Sequence, residues 1–375
     1  MALMSLAAPV IVGTLILPGL EPGRRVAFPD AVDHVVRERY GEPVDTEPRT
    51  RIDWTERVVR EYVLPELRPD VLVDWLTEPD SAQHARGAGS PEALAGLANS
   101  DRHIRLLLEA AERLGLAERL HVIVTSDHGF ARNADAISIT DALVRAGAKA
   151  SADSDDVVIV GEGQTASIHV KGHDAAGIAR VARTLLAQPW VEAVFTAPAS
   201  GRASSSVSAD HGAVPGTFSL DLIRQRHPAR GADLMVALRW SSRTNAFGVR
   251  GLQTVHSTSR TGVLTGEASG HGGIGPATMR NTLVAWGPRI RKRQIVRIPA
   301  GIVDIAPTAL SLLGLDATDD AIDGRVLEEI FESGPDAERI PQWREIRRAR
   351  TTGYDGIVQV SGAADRWYVD KAWRQ

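Results

Sequence analysis

Apolar positions along this chain fall into two rhythms, and the alternation between them predicts the fold. Asp53 to Leu67 carries the spacing of an amphipathic helix, with Pro65 and Pro69 as its stop. Asp70-Val-Leu-Val-Asp-Trp-Leu-Thr77 then reads as a strand. Ser90 is a good N-cap, with Pro91 at the first helical position and Glu92 behind it, so a helix should open there. It runs to about Leu114, where Gly115 ends it. The apolar run from His121 to Ser126 reads as a buried parallel strand. Strand, helix and strand make one crossover unit, which places Asp80 and Asp127 at the same edge of a parallel sheet.

Beyond Asn133 the texture changes. Short strand-like runs at 157–160, 166–170, 191–195 and 233–239 alternate with one clear helix, Ala175 to Leu186. Gly/Ser/Ala/Asp-rich breaks such as Ala197 to Ser208 punctuate them, and the stretch reads as an inserted smaller α+β unit. The core resumes with a strand from Thr282 to Trp286. A helix follows from about Ile305 or Pro307 to Leu313, with Asp304 capping its start and Gly314 at its end. The expected fold class is therefore α/β, a mostly parallel sheet sandwiched by helices. Its core segments are 1–132 and 266–340, the inserted cap is 133–265, and 341–375 is a C-terminal extension.

Chemistry concentrates where these elements end. The strand at 121–126 runs straight into Asp127-His128-Gly129, and in open α/β sheets ligands gather outside the carboxyl ends of strands. Asp80 and His84, four residues apart, would face one side of a helical turn. His271 sits in the glycine-rich loop Ala268-Ser-Gly-His-Gly-Gly273, where the backbone can come close to a shared centre. Two aspartates and three histidines supply the oxygen and nitrogen donors that zinc takes, enough for two adjacent ions about 3.5–4 Å apart.

Each has a plainer reading. Asp127 could cap a turn, Asp80 likewise, and a glycine-rich loop can be a simple linker. The partners tilt the balance toward metal for Asp127 and His128. His211 repeats the Asp-His-Gly trio without an apolar strand before it and reads as a surface loop. The remaining histidines, among them His34, His103 and His173, show no carboxylate at ligand spacing and read as structural or exposed. The basic run Arg289 to Arg293 reads as a solvated turn.

Composition adds exclusions more than identity. A net charge of −4 gives no electrostatic footprint for a nucleic-acid polymer. With no cysteine, disulfides and thiolate ligands are excluded, while the compartment stays open. The apolar run Ser5 to Leu17 lacks a preceding positive charge and a clean cleavage pattern. It is shorter than the about 20 residues a bilayer span needs, so a buried strand, no membrane association and a cytoplasmic location are expected.

Several segments now combine: Pro65 to His84, Ser90-Pro91, Asp101, Ser126-Asp-His-Gly-Phe130, Gly270-His-Gly272, Ile302 to Gly314 and Asp323-Gly324. In this order, over well more than half the chain, they resemble the alkaline phosphatase superfamily, most of all its type I phosphodiesterase/nucleotide pyrophosphatase branch. The resemblance implies an alkaline phosphatase-like fold and two divalent ions, zinc or else manganese. Asp80, His84 and His271 would hold one, and Asp127 and His128 the other. It implies phosphoryl transfer through a covalent intermediate, and a small phosphodiester or nucleotide-like substrate.

The family also opens with a strand-ending metal-binding Asp and a later Thr or Ser nucleophile. Ser5 and Thr14 are the early hydroxyls here, and neither follows an Asp-bearing strand. The chain is therefore read as amino-terminally incomplete, with a weakened second metal site and impaired hydrolysis. A phosphonate-ester or phosphate monoester hydrolase of the same superfamily, or a non-catalytic scaffold, are the alternatives.

Overall fold

Ser90 sets the start of the longest helix in the way its neighbours predict. In the computed structural model its hydroxyl accepts from the Ala93 N–H at 3.1 Å, Pro91 occupies the first turn, and the helix runs Pro91–Arg113. Gly115, at φ +70°, closes it. The structure describes residues 15–16, 27–42, 48–199, 211–227, 229–257, 268–317 and 322–375. Ser5, Thr14 and most of the break at 197–208 lie outside these residues. The chain divides into two compact units, Met1–Leu120 and His121–Gln375.

Among the described residues the first unit is mainly helical, with one short antiparallel pair, Leu15–Ile16 against Ala27–Phe28. Asp30–Tyr40 and Pro48–Val58 pack with the long helix around Val32, Val36, Val58, Tyr62, Val63 and Ala110. Pro65, expected as a stop, lies inside a π-helical continuation, Val59–Leu67. A widened turn tolerates a residue that has no N–H to donate. Arg68 ends it in the left-handed region, at φ 47°.

The expected strand at 70–77 is not formed. The segment joins no ladder, and Val73 and Trp75 are 70% and 69% exposed. β-rich composition marks a segment that fits a pleated surface, but a strand also needs a partner backbone. Asp74 is instead drawn against Glu56, which is fully buried, with both carboxylate oxygens lacking a donor.

Burial, and then the neighbouring Asp74, push the Glu56 carboxyl up to about 8, while Arg60 at 3.6 Å opposes the shift. Burial raises Asp74 as well. The folded chain therefore keeps a proton that the unfolded chain gives up near 4.5. This contribution is fully present below that value and is lost as pH rises through about 8. Glu56→Gln is expected to flatten the decline. Urea midpoints at several pH values across that range read the result, and an unchanged slope would count against the assignment.

The second unit holds most of the sheet structure. A five-stranded sheet takes the order Val157–Glu162, Thr165–Val170, Leu234–Leu238, Val191–Thr196, Phe218–Ser219, with its last pair parallel. The helix Ala175–Leu186 covers it, burying Val181, Leu185 and Leu186 against Ile168, Val194 and Val236. Strands Gln342–Thr351, Tyr354–Ala363 and Arg366–Arg374 form an antiparallel sheet whose Val358 and Val360 join Phe195 and Phe218 in a second core.

Two further sheets position the candidate site. One has the order Trp240–Thr244, Arg250–His256, Ala131–Ile137, Ser269–Gly270, with the middle pair parallel. The other pairs Val122–Thr125 antiparallel with Leu283–Trp286. The parallel crossover expected for 121–126 is thus replaced by a pairing with a strand from far down the chain. Among the described residues no helix is long and apolar enough to cross a membrane.

Candidate metal centre

The Asp127–His128 corner is built by its neighbours' backbones. Where Val122–Thr125 ends, Ser126 accepts from the Thr282 N–H with its hydroxyl (3.1 Å) and from the Asn281 amide with its carbonyl (2.7 Å). Gly129 then donates its N–H to the Thr278 carbonyl at 2.9 Å. A side chain at Gly129 would start 2.2 Å from the Ala277 carbonyl oxygen and 2.5 Å from that of Arg280. The glycine is required by this close approach to the turn Pro276–Met279.

Within the corner, the Asp127 carboxylate accepts from the His128 N–H at 3.0 Å and lies 3.3 Å from His128 Nε2. The other ring nitrogen, Nδ1, sits 3.1 Å from the Gly129 carbonyl. A proton on Nδ1 donated to that carbonyl leaves the Nε2 lone pair as the donor beside the carboxylate. Metal-ligating histidines are commonly oriented in this way.

His271 arrives from the neighbouring strand. Gly270 pairs with Ala131, so His271 leaves the sheet at the end where Asp127 to Phe130 enter it. The imidazoles of His128 and His271 stack at 3.6 Å between centroids and 13° between planes, with Phe130 edge-on to both. Glycines make this possible. A side chain at Gly272 would meet the Glu162 carbonyl at 2.3 Å, and one at Gly273 would overlap the Gln164 side chain. Thr165 donates its hydroxyl to the Gly272 carbonyl at 2.8 Å. The turn between Val157–Glu162 and Thr165–Val170 therefore clamps the His271 loop.

In the first unit, Asp80 and His84 lie on the short helix Asp80–Arg86, as their spacing predicts, with His84 Nε2 3.7 Å from Asp80 Oδ2. Glu78 anchors that helix. Its carboxylate accepts from the Ala82 N–H (3.2 Å), and its carbonyl accepts from the Ser100 hydroxyl (2.7 Å). Gly96 lets the long helix approach, because a side chain there would start 2.7 Å from the Glu78 carboxylate. Burial holds the Glu78 carboxyl above its usual range.

These supports were not singled out from the sequence; the buried acid before Pro79 and the glycine inside a helix were the available signals. His103, read as lacking a carboxylate partner, has one in Asp53 at 2.6 Å, fifty positions away, and is buried. His173 likewise meets Asp233 at 2.8 Å. His211 is exposed, as read. Asp304 is a buried anchor: its carboxylate accepts from the N–H groups of Gly301 and Arg325, both at 2.8 Å. Arg291, in the basic run, donates to the carbonyls of Phe331 and Gly334, so that turn is tied down.

A family pattern matched over more than half of the chain places the protein in the alkaline phosphatase superfamily. More narrowly, the chain belongs to the type I phosphodiesterase / nucleotide pyrophosphatase family, whose pattern matches residues 9–246. It is 39% identical over 62 residues to mouse ectonucleotide pyrophosphatase/phosphodiesterase family member 1, a match covering 16% of this chain and 7% of that protein. It is 36% identical over 85 residues to human family member 7, covering 23% of this chain and 18% of that one. The matched stretches thus span only a small part of these curated relatives. The fold is also that of murine ectonucleotide pyrophosphatase/phosphodiesterase 5, with a TM-score of 0.51 and 16% identity over 78% of this chain and 67% of that one.

Proposed function

We propose that this protein is a metal-dependent hydrolase of phosphodiester and nucleotide pyrophosphate bonds in small molecules. Asp127 and His128 would hold one divalent ion, and Asp80, His84 and His271 the other. The observation that carries this reading is the stacked pair His128–His271, presented beside the Asp127 carboxylate. Family membership supports this reaction class. The donor set suits zinc and is compatible with manganese. Such ions, when bound, neutralise charge on phosphoryl oxygens and lower the pKa of a hydroxyl or water.

The chain's own groups divide the work. Gly129 fixes the His128 ring, and the 162–165 turn fixes the His271 backbone. At the strand end, Thr125 donates its hydroxyl to the Thr282 carbonyl, and Ser126 accepts from the Thr282 N–H. Two protein ligands at Asp127 and His128 make that the weaker position.

Metal analysis after exhaustive dialysis tests the reading. We expect about one tightly held ion per chain and a second that titrates in more weakly. Slow hydrolysis of an aryl phosphodiester should rise with the second ion. Absence of bound metal, with no zinc-induced rise in melting temperature, would overturn the proposal.

A further inference from the structure

The 211–217 loop and the edge strand Gln342–Thr351 enclose a cavity of about 520 Å³. That volume lies within the roughly 300–1,000 Å³ of small-molecule sites. None of Asp127, His128 or His271 lines it. Its charged lining is Arg348 and Arg350 from the strand and His211 from the loop. Residues two apart on a strand project to one face, about 7 Å from each other.

Both walls are fixed. Thr217 donates its N–H (3.0 Å) and its hydroxyl (2.6 Å) to the Val214 carbonyl, which closes a tight turn. Pro215 pre-sets the first corner of that turn, and Gly216, at φ +89°, takes the left-handed second. A side chain at Gly216 would start 2.9 Å from the Thr351 methyl, so the turn sits on the strand beside Arg350. Ala213 ties the loop down by donating its N–H to the Ala197 carbonyl at 2.7 Å. On the strand, Asp355 stands across the ladder from Arg350 and accepts from its Nε at 2.9 Å. The same carboxylate accepts from Arg348 Nη1 at 3.3 Å, and that nitrogen also donates to Gln375 Oε1 at 3.1 Å. Among the described residues, the two terminal nitrogens of Arg350 and the His211 ring meet no protein partner. Two guanidinium charges against one carboxylate leave the cavity positive.

We propose that this cavity binds a phosphate dianion, free or carried by a small ester, at a site separate from the metal corner. Guanidinium forks match pairs of phosphate oxygens, and the imidazole adds an N–H donor. Asp355 takes the Nε side of Arg350 and leaves its terminal fork to donate. The organic part of an ester would rest on Val214 and Pro215. The site stands whether or not the corner hydrolyses phosphodiesters.

Calorimetric titration of the zinc-loaded full chain with inorganic phosphate and with glycerol 3-phosphate, repeated after addition of EDTA, tests the proposal. A single-site isotherm should survive the chelator, which removes any binding through metal. Arg350→Gln should weaken it at least about tenfold, and Arg350→Lys should recover only part, because the charge returns without the fork. The Arg350 side chain is 63% exposed, so neither variant should lower the melting temperature. Arg344→Gln, on the same strand but outside the lining, should leave the affinity unchanged. Tighter binding of glycerol 3-phosphate identifies an ester site, and tighter binding of inorganic phosphate a site for the free ion. Loss of all binding in EDTA overturns the proposal. An equal drop in Arg344→Gln and Arg350→Gln also overturns it, because the diffuse charge of an arginine-rich strand would then suffice.

Discussion

Alanine at His271 is expected to remove the tightly held ion, lowering zinc affinity by at least about 100-fold. That exceeds the 10–100-fold typical of losing a group that merely orients a ligand. The proposal predicts more than a loss. If Asp80, His84 and His271 serve one ion, His84→Ala should cause a comparable drop, and the double variant should be little worse than either single one. Residues that share one partner are strongly non-additive, whereas independent sites add. Chelator competition with a zinc-sensitive dye reads all four affinities. Full additivity in that cycle would separate the two histidines into different sites and dismantle the assignment. Near-UV circular dichroism provides the folding control, because His271 also stacks on His128 and touches Phe130.

The second large effect concerns stability. Asp304 is fully buried, and its carboxylate receives the Gly301 and Arg325 N–H groups and, at 3.1 Å, the Tyr368 hydroxyl. Asp304→Ala would leave three buried donors unanswered, so a loss of about 3–5 kcal/mol is expected. Asp304→Asn should retain part of it, because the amide oxygen still accepts but its NH₂ faces a donor. Urea denaturation at neutral pH gives both numbers. A loss below about 1 kcal/mol for alanine would mean that water replaces the carboxylate. Burial, followed by the nearby Asp304 charge, pushes the Tyr368 hydroxyl upward, which keeps it a donor throughout the accessible pH range.

Local punctuation explains which elements were readable in the sequence. The helices at 91–113 and 175–186 were readable because a capping side chain sits immediately before each. The strands of the 157–238 region were readable because their apolar runs are short and bounded by turn residues. The segment at 70–77 was misread because an apolar run announces a preference for a sheet but says nothing about whether a neighbour exists. Its Asp74 met Glu56 instead, a contact that no periodicity encodes.

The candidate site shows the same division. Asp127, His128, Asp80 and His84 were visible through short spacing, and His271 through its flanking glycines. The reason for those glycines was not visible, because it lies in the carbonyl of Glu162 and the side chain of Gln164, more than a hundred positions away. The glutamate behind Asp80 was missed for a similar cause: its carboxylate answers a backbone N–H, which leaves no trace in residue type.

The clamp on the 271 loop has a consequence for anyone who would exchange or trim the 133–265 region. Gly163 accommodates the His271 carbonyl, against which a methyl group there would start at 2.5 Å, and Thr165 ties Gly272 by a hydrogen bond. The imidazole thus takes its bearing from a hairpin more than a hundred positions earlier in the chain. Replacing residues 161–165 would shift the His271 ring even though the histidine itself remained in the sequence.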